Sequence, residues 1–256
     1  MTTSDPTTSV SDMTMTTDSN GVTFRNDVTV ELVKHAASDD SVLFAARVST
    51  RGETHTEDLD PTEARNIGLI RYLMRDRHGS PFEHNSMTFY VEAPIFVFRE
   101  FMRHRIASYN EESGRYTQLK PVFYIPADSR AIVQKGKPGH YTYVPGLHSQ
   151  VLAVREGHME VSRVAYSNYQ YLLDLGVARE VARMSLPLNI FSSMYVTMNA
   201  RALMNFLSLR TKREGSHFPS YPQREIEMVA EQMEEYFKKT MPITHAAFNA
   251  SGRVAP

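Results

Sequence analysis

Hydrophobic and polar positions alternate from Val28 to Val33, the period of a strand with one buried face, and a helix follows near Asp40 to Val48. Asp60 and Pro61 open a second helix over 61–77, in which Ile67, Ile70, Leu73 and Met74 recur at helical spacing before Gly79. The run "SMTFYVEA" reads as a strand leading into an apolar helix over 94–105. Pro121, Pro126, Pro138 and Pro145 make 118–145 mostly loop, with a short strand at best. Leu147 to Leu175 is a long helix closed by Gly176, and a shorter one covers 178–185 before Pro187. "MNARALMNFLSLR" and "QREIEMVAEQMEEYFKK" are further helices, the second turning Ile226, Val229, Met233 and Phe237 inward. The sum is an α+β fold, a mixed or antiparallel sheet flanked by helices.

Residues 1–21 are rich in Thr, Ser and Asp with little to bury, so they are expected to form a disordered tail. A single domain is expected over 22–250, with 251–256 a C-terminal tail. The 256-residue chain carries a formal charge of -1, so any anion recognition is local rather than global, which favours a small ligand over a nucleic acid polymer. The absence of cysteine excludes disulfides, thiolate metal sites and a Cys nucleophile. No apolar run is long enough to span a membrane and no secretory pattern opens the chain, so a cytoplasmic protein is expected.

Within this near-neutral chain, "RHRIASYNEESGRYT" concentrates cations where an apolar stretch ends. A solvated charged face is one reading. The other is that guanidinium groups continuing a largely buried helix need anionic partners, and their planar fork matches phosphate and carboxylate oxygens. Glu100, Arg103 and His104 stand at i, i+3 and i+4, one helical face. Phe101, Tyr109 and Tyr116 flank the run as rings on which a planar ligand could stack. Arg201, Asn205 and Ser208 form a polar stripe on another helix, and Arg210, nine positions from Arg201, falls near its opposite face, as if the helix served two ligands or two subunit surfaces. His78, Glu83 and His84 in one loop are a poor zinc set, and no metal is expected. Glycine-rich nucleotide loops are absent, so a nucleotide would be held by side chains.

Three ordered blocks, "HGSPFEH", "RHR" followed after seven residues by Ser113, and "MNARALMNFLSLR", together resemble the flavin-dependent thymidylate synthases. The resemblance covers about 22–248. It implies a homotetramer with active sites at subunit junctions, FAD as cofactor, NADPH and 5,10-methylenetetrahydrofolate as co-substrates, and dUMP as the nucleotide methylated to dTMP. It assigns FAD to Ser80, Arg103, His104, Arg105, Ile106, Glu111, Asn199, Arg201 and Asn205. The nucleotide falls to Glu100, Arg103, Glu111, Glu112, Ser113, Gly114, Arg115, Arg183 and Arg210. Arg210, Ser113 and His78 are the catalytic candidates, Arg210 as the cation beside the uracil ring. The missing cysteine agrees, since the unrelated cysteine-dependent synthase attacks uracil with a thiolate. Glu112 stands where the family pattern leads one to expect an apolar residue, and "TKREGSHFPSYPQ", with His217, is longer than the connection in compact members. A non-catalytic nucleotide- or RNA-binding protein using the same Arg and Tyr groups is the alternative.

Overall fold

A computed structural model describes residues 15–52, 59–137 and 140–256. The chain divides into two compact units, 1–27 with 113–191 and 28–112 with 192–256.

The first unit holds β1 (Met15–Thr17), β2 (Thr23–Arg25) and β6 (Val122–Tyr124) in one sheet, β2 pairing antiparallel with β1 and parallel with β6. It also holds the hairpin β7 (Val133–Lys137) with β8 (His140–Val144), the long α4 (His148–Asp174) and the short α5 (Arg179–Ala182). Strand β1 corrects part of the expected N-terminal tail; residues 1–14 lie outside the described set. Asp18 explains the order beyond it: its carboxylate accepts from the amides of Asn20 and Val22 and from Arg163 Nε at 2.7 Å. The three strands within 118–145 correct the expected loop: Pro121 and Pro126 flank β6 and Pro145 follows β8, so none of these three interrupts a strand. Gly176, with φ +80°, ends α4 as expected: the amide of Val177 reaches back to Leu172 O.

The second unit is built on a four-stranded sheet ordered β3, β4, β9, β5: β3 (Thr29–Ala36), β4 (Ser86–Pro94), β9 (Phe191–Met198) and β5 (Ser108–Glu111). Val30 faces Val91 and Leu32 faces Phe89, then the register shifts between Leu32 and Lys34. Val33 therefore sits at a bulge and is half exposed, against its place in the simple alternation. Met87, Phe89, Val91 and Ala93 are fully buried, and α1 (Asp39–Arg51), α2 (Ala64–Arg75), α6 (Ala200–Arg210), α7 (Arg224–Thr240) and α8 (Pro242–Ala250) contribute to the same core. Ser38 caps α1 through a reciprocal pair with Ser41. Asp39, buried in that first turn, accepts from the amides of Ile243 and Thr244 and so caps α8 as well.

The expected C-terminal tail is corrected too. Arg253 is 5% exposed, in a left-handed conformation at φ +58°, and forms a bidentate pair with Glu234 at 2.6 and 3.1 Å. It also donates to Thr211 Oγ1 at 2.8 Å, the residue that follows α6. Burial works to raise the Glu234 carboxyl, but hydrogen bonds from His245 and Arg253 and the charges of Arg253 and Arg213 hold it down to about 2. Since the folded value lies below the ordinary 4.5, this stabilisation is present above pH 4.5 and is lost as pH falls toward 2. Glu234→Ala strands a buried cation and is expected to cost roughly 3–5 kcal/mol. Urea unfolding checks this, and an unchanged midpoint would contradict it.

Candidate active site

The apolar stretch before the signature forms α3 (Ile95–Phe101), which stops four residues short of the expected end. Arg103 and His104 leave the helix in tight turns, their amides bonding to Glu100 O at 3.3 Å and Phe101 O at 2.8 Å. The expected common helical face of Glu100, Arg103 and His104 is thus corrected. Tyr109 shows the cause: its hydroxyl lies 2.8 Å from Phe101 O and 2.7 Å from His104 O, tying the turn to β5. Burial pushes this phenol up to about 12, so it stays a donor. Phe101 and Tyr109 were expected to offer stacking faces. Phe101 is instead fully buried and stacks on Phe206 of α6 at 4.8 Å, while Tyr109 serves as the staple.

That stack places the end of α6 beside the turn. Arg210 Nη1 donates to Glu100 Oε2 at 2.7 Å and Arg210 Nε donates to His104 Nε2 at 3.0 Å. The His104 ring rests edge-on against Phe206. Burial, and then the Arg210 charge, push the His104 imidazole down to about 4, so at neutral pH it is uncharged, with its proton on Nδ1 and Nε2 free to accept. Burial raises the Glu100 carboxyl, Arg210 pulls it down and Glu225 adds to the rise, leaving it above its ordinary value. A cation is therefore fixed between a carboxylate and a neutral imidazole. The guanidinium groups of Arg103 and Arg105 are exposed and have no partner among the described residues.

The other face of α6 builds a separate groove of about 230 Å³, lined by Arg77, Ile106, Asn199, Arg201, Asn205 and Pro256 among others. Asn199 caps the helix by accepting from the amide of Ala202. Arg201 pairs with Glu83, donates to Pro256 O and packs against Gly79, where a Cβ would meet its guanidinium at 2.6 Å. Ser80 begins the 3-10 turn Ser80–Glu83, and His78 stacks on Tyr72 at 5.4 Å. Glu111 lies on β5, and the amide of Glu112 bonds to Ser193 O.

Ser113, Gly114, Arg115 and Arg183 belong to the first unit. There a Cβ on Gly114 would press on Leu119 and on Arg183 Cδ at 3.3 Å, so the glycine allows close approach of that arginine. Arg115 pairs with Glu180 at 2.9 Å, and the Ser113 carbonyl accepts from the amides of Tyr116 and Thr117. Sequence reasoning missed the roles of Tyr109 and of the 253–256 segment. The apolar row Phe101 and Phe206 was the one available signal that the end of α3 and α6 meet.

Residues 31–243 match the family described as thymidylate synthase complementing protein. The chain belongs to this family. It is 62% identical over 234 residues to the flavin-dependent thymidylate synthase of Streptomyces avermitilis, covering 91% of this chain and 95% of that one. It is 44% identical over 219 residues to the protein of the same name from Thermotoga neapolitana, covering 86% and 89%. Among solved structures it is similar to a UMP/dUMP methylase, PolB, from Streptomyces cacaoi bound with 5-Br dUMP, with TM-score 0.85, 55% identity, and coverage of 91% and 99%. A second PolB structure, bound with 5-Br UMP, gives TM-score 0.84 at 54% identity, with coverage of 91% and 98%.

The family member's own geometry makes a spectroscopic prediction. Imidazole nitrogen NMR should find His104 neutral, with its proton on Nδ1, until the pH approaches 4. Because its folded value lies below the ordinary 6.5, the unfolded chain takes the proton first. This group's contribution to stability is therefore constant above pH 6.5 and declines between 6.5 and 4. A His104 titrating near 6.5 would remove the acceptor role assigned to Nε2.

Proposed function

We propose that this chain is a flavin-dependent thymidylate synthase, converting dUMP to dTMP with 5,10-methylenetetrahydrofolate as carbon donor and NADPH as the source of reducing equivalents. The observation that carries the reading is the Arg210 guanidinium, held by Glu100 and by the histidine of the Arg103–His104–Arg105 signature, in a chain 62% identical to a synthase of that name. RNA binding without catalysis is not favoured, because the relatives named above are enzymes.

The groove at Arg201 suits part of a flavin. Asn199, Arg201 and Asn205 offer polar groups beside apolar Ile106 and Ala202. Together with Ser80, Arg103, His104, Arg105, Ile106 and Glu111, these residues would bind FAD, and His78 would order the adjoining co-substrate. Bound and reduced, the flavin supplies the hydride. The residues of this chain bind, orient and neutralise charge. dUMP would meet Glu100, Arg103, Glu111, Glu112, Ser113, Gly114, Arg115, Arg183 and Arg210, with guanidinium forks on phosphate and uracil oxygens. Arg210 stabilises the negative charge that develops on the uracil ring as C5 becomes nucleophilic. It reaches that role already fixed, so little reorganisation is needed. No base is positioned by any described hydrogen bond to activate the Ser113 hydroxyl, which accords with a binding role for that residue.

The working form would be a cytoplasmic homotetramer with its sites completed at subunit junctions. The exposed apolar row Val161, Val164 and Tyr171 on α4, continued by Leu175 just past its end, supports an assembly surface. Among the described residues no helix is long and apolar enough to cross a membrane.

Tritium release from 5-tritiated dUMP, with NADPH and methylenetetrahydrofolate, tests the reading and should require FAD. Arg210→Ala should lower turnover by about 10²–10³, whereas Ser113→Ala keeps measurable activity; equal losses would overturn that ranking. The 5-Br UMP bound to the similar PolB favours a second substrate, UMP, which the same assay decides.

A further inference from the structure

A second groove adjoins the one at Arg201. It has about 220 Å³ and is lined by Met74, Arg75, Arg77, His217, Phe218 and Val254 among others. Arg77 belongs to both grooves, and the segment that supplies Val254 here supplies Pro256 there. The polar wall is cationic. Arg77 has no ion-pair partner among the described residues, and its backbone, left-handed at φ +62°, closes α2, with the amide of His78 reaching back to Leu73 O. Arg75, beside it, is engaged with Asp76 at 2.6 Å but remains exposed.

The facing wall comes from the long connection 211–222. That loop is seated rather than loose: the His217 amide donates to Gly252 O at 2.8 Å, and a Cβ on Gly252 would meet His217 at 3.0 Å. His217 props Phe218 edge-to-face at 4.5 Å, while Phe218 itself is 67% exposed. The loop thus spends a fixed histidine to hold an apolar ring in water, opposite two guanidinium groups and over the buried Met74. An aromatic face combined with arginine forks suits a planar ring that carries anionic groups.

We infer that this groove binds the ring-and-anion end of a co-substrate whose reactive part lies in the adjoining groove. The inference rests on the flavin reading of that neighbour. Two co-substrates of the reaction share the chemistry: the reduced folate, with its aminobenzoyl ring and glutamate carboxylates, and NADPH, with its adenine ring and phosphates. His217 is a positioning residue in this arrangement, acting through Phe218.

The test uses full-length holoenzyme, wild type beside Phe218→Ala and Arg75→Gln; both side chains are exposed, and neither lines the flavin groove. Flavin content is read first from the absorbance spectrum and should be equal in all three. KM is then measured for methylenetetrahydrofolate as mono- and pentaglutamate in tritium release, and for NADPH in anaerobic flavin reduction. Losing one stacked ring should raise the affected KM by a factor of about 2 to 12. A rise confined to the folate, with Arg75→Gln weakening any preference for the pentaglutamate, identifies the folate tail. A rise confined to NADPH identifies the dinucleotide. Variants that retain flavin and show both KM values unchanged overturn the inference and leave the flavin reading standing. A wild-type protein without flavin or tritium release overturns both.

Discussion

The contact between Arg210 and the pair Glu100 and His104 constrains the rest of the second unit. Arg210 and Glu100 side chains are 19% and 23% exposed, so neither ion keeps full hydration, and each depends on the other to offset the cost. Their meeting requires α3 to stop at Phe101, the chain to turn at once, and α6 to arrive with its last residue at that turn. The Phe101 and Phe206 stack supplies the apolar contact that fixes the approach, and the Tyr109 hydroxyl holds the turn. His104 completes the arrangement only when neutral. A protonated imidazole would place a second cation against Arg210, and burial guards against that at working pH.

Because α6 is rigid and amphipathic, fixing Arg210 at one end also sets what its other face presents. Arg201, nine residues earlier, turns away toward Glu83 and Gly79 and into the groove assigned to flavin. In the proposed reading the same helix would serve charge stabilisation on one side and cofactor binding on the other. Arg253 ties both ends of this scheme together: it bonds to Thr211, directly after Arg210, and anchors the segment whose Pro256 carbonyl accepts from Arg201. Thus the buried Glu234 and Arg253 pair supports two sites without entering either.

Much of this was legible in the chain. Periodicity located α1, α2, β4, α4, α6 and α7 because each has a long apolar face, and the nine-residue spacing of Arg201 and Arg210 foretold two separate surroundings for them. The failures share a cause. β9 and α8 were missed, and the end of α3 was overrun, because tertiary contacts rather than local pattern decide them: "FSSMYVTM" is sandwiched between β4 and β5, and Asp39 caps α8 from about 200 residues away in sequence. Segment 251–256 looked like a tail because nothing nearby in sequence announces the carboxylate of Glu234 that buries Arg253. Within the site, residue types identified the cations, but which of them would be paired was invisible. Arg210 is clasped and Arg103 and Arg105 are not, a distinction that exists only once α3 and α6 are packed.

Product stoichiometry tests the central claim most directly. dTMP, NADPH consumption and the oxidation state of the folate product can be measured together in one reaction by chromatography and mass spectrometry. The account predicts one NADPH oxidised for each dTMP formed, with tetrahydrofolate as the folate product. Formation of dTMP with dihydrofolate and no use of NADPH would contradict it, since the folate and not a flavin would then have supplied the hydride.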